Sequence, residues 1–219
     1  MKKVTMLLSG LVLTGMTTFA QMSVEPEIGM NISNISTKLS DNDAKMHNAK
    51  VGLNAGVGLK FNITEGFYVK PGVYYSQQGA EVELVDFGSI AQSNSTFTTH
   101  YLQIPVNLGF QGGLNGGQSG YIFAEVAPYV GFALSGVSEN ETRVGGIVGT
   151  SETDMDWGKE DNEYNPLDAG MKFAVGYETP WGIYLKGGYT LGLGNMSNVD
   201  DFKMNNRGWN ISLGYSISL

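Results

Sequence analysis

Residues Trp209 to Leu219 read W-N-I-S-L-G-Y-S-I-S-L. Trp209, Ile211, Leu213, Tyr215, Ile217 and Leu219 are bulky and apolar, and the positions between them hold Asn, Ser or Gly. Successive side chains on a β-strand point to opposite faces, so this segment makes one face apolar and keeps the other wet. Seven more segments repeat the pattern, at 23–33, 50–63, 67–76, 98–111, 121–135, 167–179 and 182–195. Their polar faces carry Lys and Glu as well as Gly, Asn and Tyr. A strand that faces lipid on one side and a polar lumen on the other has this composition. The expected fold is all-β, an eight-stranded antiparallel transmembrane β-barrel.

The start of the chain sets the compartment. Lys2 and Lys3 precede an apolar run at 4–15, and Thr18-Phe19-Ala20 has the small-x-small form of a cleavage site. Residues 1–20 therefore read as a signal peptide, with 21–219 as one outer-membrane β-barrel domain. The apolar run falls short of the roughly 20 residues that a spanning helix needs. Cys is absent, which excludes a lipoprotein anchor, a disulfide framework and a thiolate metal site. Mean hydropathy is -0.10 with only 16% charged residues, a balance that suits strands whose two faces average out. Gly supplies 31 of 219 residues, about twice the usual ~7%. Small lumen-facing positions and tight turns account for that excess. A net charge of -8 argues against a nucleic-acid partner.

The links alternate in length. Those at 64–66, 112–120 and 180–181 are short, whereas those after the first, third, fifth and seventh strands are long, the third of them spanning 136–166. Short turns at one rim and long loops at the other match the periplasmic and extracellular ends of an outer-membrane barrel. Pro26, Pro71, Pro105 and Pro128 fall inside proposed strands, where each removes a ladder hydrogen bond; they are expected at bulges or strand ends.

Five phrases carry a resemblance: Tyr101-Leu-Gln-Ile-Pro-Val106, Ala127-Pro-Tyr-Val-Gly-Phe132, Asn165-Pro-Leu-Asp-Ala-Gly170, Gly188-Tyr-Thr-Leu-Gly192 and Asn206-Arg-Gly-Trp-Asn-Ile-Ser-Leu-Gly-Tyr215. On these the chain resembles the outer-membrane β-barrel family that includes PorT-like proteins, with a looser likeness to OmpX-type barrels. The resemblance implies an assembly signal in the last strand, on Trp209, Ile211, Leu213, Tyr215, Ile217 and Leu219. It implies no catalytic residue, and tasks ranging from secretion-system assembly to none assigned. Such signals usually end in an aromatic residue, and this one ends in Leu219. The implied partners are outer-membrane lipid, the barrel-assembly machinery, and a protein at the cell surface or in a secretion system.

By alternation Glu25, Glu27, Glu125, Asp168 and Glu178 face inward with Lys60, Lys70, Lys172 and Lys186. An eight-stranded barrel is only wide enough for side chains to fill it. Unpaired charges there would cost several kcal/mol each, so the mixed signs are expected to pair as a buried network. A loop-borne lipid-modifying or proteolytic site has only His47 and His100 to draw on. His47 lies near Asp41 and Asp43, and His100 shares parity with lipid-facing Leu102. No nucleophile or zinc-protease motif accompanies either. The third long loop is acidic, with Glu139, Glu141, Glu152, Asp154, Asp156, Glu160, Asp161 and Glu163 against Arg143 and Lys159. Asp154-x-Asp156-x-Gly158 lacks the distal Glu of a calcium loop, so no metal or cofactor is expected. The expected role is structural or interactive, exercised through loops or turns. A narrow passive pore is the alternative and an enzyme the third reading.

Overall fold

A computed structural model of the chain describes residues 22–39, 42–45, 48–85, 91–144, 147–158, 164–195 and 202–219. The expected signal peptide at 1–20 lies outside them. In chain order the strands are β1 (Met22–Leu39), β2 (Asn42–Lys45), β3 (Asn48–Asn62), β4 (Phe67–Val85), β5 (Ala91–Gly113), β6 (Tyr121–Val144), β7 (Ile147–Asp154), β8 (Leu167–Glu178), β9 (Ile183–Gly192), β10 (Phe202–Tyr215) and β11 (Ile217–Ser218). Neighbours pair antiparallel in the order β1, β3, β4, β5, β6, β8, β9, β10, and β10 returns to β1 to close the ring. β11 prolongs the last strand beyond Ser216, whose N–H turns aside to Gly182 O at 2.8 Å. The first and last described residues sit together at the turn end, where Leu219 N donates to Met22 O at 2.9 Å.

The burial pattern is inverted relative to a water-soluble domain. Lys70 is 1% exposed and Gln103 fully buried, whereas Phe110 and Trp209 are about two-thirds exposed, at 66% and 65%. Closing the ring pairs the backbone groups that lipid could not satisfy, and the outward apolar rows replace a soluble protein's polar surface.

The inward glycines have a specific use. Tyr68 stands directly opposite Gly109, Tyr74 opposite Gly56, Phe123 opposite Gly176, Tyr129 opposite Gly170 and Tyr184 opposite Gly214. Each ring lies across its partner so closely that a Cβ would collide, at 2.1 Å from the Tyr68 ring at Gly109 and 2.2 Å from the Tyr184 ring at Gly214. A narrow barrel thus packs large aromatics by removing the facing side chain altogether.

The turn end is closed by short connections. Thr179 O accepts from Gly182 N, Thr179 Oγ1 accepts from Ile183 N, and Gly182 takes the positive φ of 85° that the tight link requires. At the opposite, loop end, β4, β5 and β6 run on for 19, 23 and 24 residues in total, well past the strand ends that alternation suggested. The link after the third strand is therefore mostly strand, and the third long loop contains β7, paired with β6 along its whole length.

The prolines are a correction. Pro26, Pro71, Pro105 and Pro128 sit neither at bulges nor at strand ends; beside each the ladder skips two pairs and resumes in the same register. A missing N–H removes a bond without adding a residue, so the register has no reason to move. The two register shifts lie near the loop end, between Ala49 and Asn54 against β4 and at His100/Tyr101 against β6.

Candidate functional site

Alternation decides which side chains enter the lumen, and register decides which of them meet. Glu178 lies 3.2 Å from Lys60, and Lys60 3.6 Å from Glu25. Lys70 stands 3.0 Å from Glu25 and 2.6 Å from Glu125. Lys186 then joins Glu125 at 3.6 Å to Glu27 at 2.7 Å. Four carboxylates and three ammonium groups alternate in one chain that ties β1, β3, β4, β6, β8 and β9 together. Tyr68 Oη donates to Glu125 at 2.8 Å and Tyr184 Oη to Glu27 at 3.1 Å, and Lys60 lies 4.6 Å over the Tyr68 ring. Each buried charge therefore meets an opposite charge, and Glu27, Glu125 and Lys60 meet a tyrosine as well, whereas Glu25 Oε1 and Glu125 Oε2 face Lys60 and Lys186 at 3.6 Å without a hydrogen bond.

Asp168 and Lys172 correct the expectation that all nine lumen charges pair. Neither forms an ion pair with a described residue. Lys172 Nζ donates to Gln103 Oε1 at 2.6 Å and lies 5.3 Å from the Tyr129 ring centroid. Asp168 Oδ2 accepts from Tyr129 Oη at 3.0 Å and from Asn206 Nδ2 at 3.3 Å. Four residues apart on an extended strand is roughly 13 Å, so two groups can share a face and still not reach one another. Between Lys172 and the ion-paired chain lies a cavity of about 30 Å³ bordered by Glu27, Asn54, Tyr74 and Lys186, room for a water or two.

Towards the loop end the filling turns neutral. Ala80, Tyr101 and Met204 pack together, with Ala133 and Tyr164 against them. The return from β7 to β8 crosses above: Met155 N donates to Gly136 O, and Tyr164 N to Asp156 O. The Met155 and Trp157 side chains press on Gly136, where a Cβ would come within 2.8 Å of both.

Above the barrel, upper β4, β5 and β6 continue with β7 as a raised sheet. The eight residues of β7 span roughly 27 Å at about 3.4 Å each. Directly paired residues share a face. Glu81, Thr96, Glu139 and Glu152 form one cross-strand row, Asn94, Glu141 and Thr150 the next, and Asp154 pairs with Val137 on the same face. By alternation along β4 and β5 this face continues the outer wall upward. It gathers Glu81, Glu139, Glu141, Glu152 and Asp154, with Arg143 held 2.6 Å from Glu141. The other face is neutral, with Ser95 Oγ donating to Asn140 at 2.6 Å. Glu160, Asp161, Glu163 and Lys159 lie outside the described residues, and Asp156 sits in the return beyond β7. Glu81 joins the acidic face unannounced, although Ala80, Val82 and Leu84 alternating with Glu81 and Glu83 is the same two-residue period that marked the other strands.

His100 lies on the outer wall, its Nδ1 2.5 Å from Tyr75 Oη and its ring 5.8 Å from that of Tyr75. His47 lies outside the described residues. Among the described residues no cluster of His, Cys, Asp and Glu is arranged to hold a metal ion. The outward row of the last strand, expected to carry an assembly signal, is exposed from Trp209 to Leu219 on β10 and β11.

Residues 19–198 match the family described as outer membrane protein beta-barrel domain, and the chain belongs to it. Its turn end is accordingly periplasmic and its loop end extracellular. Among solved structures, the chain is similar to Ail, the attachment invasion locus protein of Yersinia pestis, at 11% identity over 90% of this chain and 98% of that one, with a TM-score of 0.37. It is also similar to Neisserial surface protein A (NspA), at 16% identity over 90% and 96%, with a TM-score of 0.36. No curated protein matches the chain.

Proposed function

We propose that this protein is a sealed outer-membrane barrel that serves as a rigid pedestal for its extracellular sheet, and that it acts by binding a partner there rather than by conduction or catalysis. One observation carries the reading. The lumen carboxylates of the ion-paired chain are each held by a lysine, whereas five carboxylates on the raised face have, among the described residues, only Arg143 in an ion pair and Lys50 at the foot of the face, bonded to Thr98. Charges committed to partners inside the molecule hold the barrel together, and charges left without them outside are free to attract a basic partner. Tyr101, Met204 and the Met155–Trp157 return over the mouth favour a closed lumen over a passive pore. β10, whose pairing with β1 closes the ring, is the strand we assign to the assembly machinery through its outward row.

Replacing 136–165 with a short Gly/Ser turn tests the reading. The shortened protein is expected to keep the difference in gel migration between boiled and unboiled samples, because the ring closes without the hairpin. It should lose whatever cell-surface phenotype full deletion of the protein produces, and the intact protein should show no steady conductance in planar bilayers. Full rescue by the shortened protein, or stable channels from the intact one, overturns it.

A further inference from the structure

β7 is the outermost strand of the raised sheet. It pairs with β6 from Ile147 to Asp154 without a register shift, and no other described strand lies against it. All eight of its residues are exposed. On the side away from β6, alternate residues therefore present backbone N–H and C=O groups to solvent. Surface proteins ordinarily blunt such an edge with lysine, proline, a bulge or a covering loop. Ile-Val-Gly-Thr-Ser-Glu-Thr-Asp contains no lysine and no proline, and its ladder is regular. The edge is regular in register and long enough to take a whole strand, and no described residue covers it.

Resting on the interaction reading above, we propose that this edge binds an extended segment of another protein by strand addition, and that the segment carries basic side chains at alternate positions. The backbone ladder supplies the attachment, and the side-chain faces set the choice of partner. Val148, Thr150, Glu152 and Asp154 share the acidic face with Glu139, Glu141 and Glu81. A strand added beside β7 places every second side chain on that face, where Lys or Arg opposite Glu152 and Asp154 meets two rows of carboxylates. Its other side chains fall beside Ile147, Gly149, Ser151 and Thr153, a neutral face that favours small or β-branched residues. A second copy of this chain fits badly. Two barrels in one membrane hold their sheets in the same direction, so their β7 strands meet parallel; a twofold axis along the membrane normal then sets each edge N–H and C=O against its own copy, where no ladder bond forms, and turns the two acidic faces to opposite sides of the joined sheet.

The test uses the full-length protein in lipid nanodiscs and two eight-residue peptides of equal composition, one alternating Lys and Thr, the other with the four Lys in a block. The alternating peptide is expected to bind saturably, about tenfold more tightly than the block peptide. It should also slow hydrogen exchange of β7 amides. The double variant Glu152→Lys with Asp154→Lys keeps the edge and reverses its charge; it should reject the Lys/Thr peptide and accept an alternating Glu/Thr one. Equal binding of the two lysine peptides, or binding without protection of β7, shows plain electrostatic attraction and overturns strand addition. No binding by either peptide overturns it as well. A phenotype that survives the double variant but disappears on removal of 136–165 leaves the pedestal reading standing and discards this one, whereas a phenotype that survives both discards both.

Discussion

Glu125 and Glu139 stand on the same strand and obey opposite rules. Glu125 is buried between Lys70 and Lys186 and takes a hydrogen bond from Tyr68, so it is one link in a scaffold. Glu139 is exposed above the mouth, with Glu81 and Glu152 in its own cross-strand row. A carboxylate in the lumen must be compensated on the spot, because little water has room there. One on the raised sheet is hydrated and tolerates like neighbours. The lesson is that charge along β6 changes its surroundings at the mouth of the barrel: below, it is tied to partners inside the fold; above, it stands exposed.

The hardest blow to that contrast is Lys70→Met, which takes the nearest cation from both Glu25 and Glu125 and leaves them Lys60 and Lys186 at 3.6 Å. Unfolding by urea in lipid vesicles should show a loss of about 3–5 kcal/mol. Combining it with Glu125→Leu should recover part of the loss, and a double variant worse than the single one would show that the pair is not compensatory. Next comes the wall itself. Leu185→Arg, on the lipid side of β9, should cost about 2–4 kcal/mol near the midplane, and a neutral outcome there would reverse the assignment of inside and outside. Smaller again is Gly109→Val, which adds bulk beneath the Tyr68 ring and should cost about 1–3 kcal/mol, with Tyr68→Ala in the same chain relieving most of it. At the other end of the scale, Glu139→Gln should leave the urea midpoint where it was. It should weaken attraction of a basic peptide in a salt-dependent way, and a clear shift in midpoint would mean that the raised face is part of the scaffold after all.

Faces were legible in the sequence, because a period of two residues assigns inside and outside without further knowledge. Glu25, Lys70 and Glu125 could be placed in the lumen on that ground alone. Depth was not legible, since it depends on which residues of neighbouring strands stand opposite each other. Hence Asp168 and Lys172 were expected to find charged partners and instead found Tyr129, Asn206 and Gln103. The continuation of β4 and β5 above the mouth was readable in part, in the alternation around Glu81. Its weak apolar side hid it, because a strand standing in water has no lipid face to advertise. Nothing in the residue types announced that the prolines would interrupt ladders without moving them.

The rings laid across glycines bear on how such a barrel reaches the right arrangement at all. Sliding one strand by two residues past its neighbour keeps every apolar side chain in lipid, so patterning cannot reject the error. The aromatic pairs can. After such a slide Tyr68 would meet Asn107 or Gln111 in place of Gly109, and Tyr184 would meet Ser212 or Ser216 in place of Gly214. Each of those side chains occupies the space the ring needs. The five pairs act at the seams β3–β4, β4–β5, β6–β8 and β9–β10. At β4–β5, β6–β8 and β9–β10 they work as a spelling check on strand alignment, refusing both nearest misprints, whereas at β3–β4 Tyr74 refuses Asn54 and would accept Gly58.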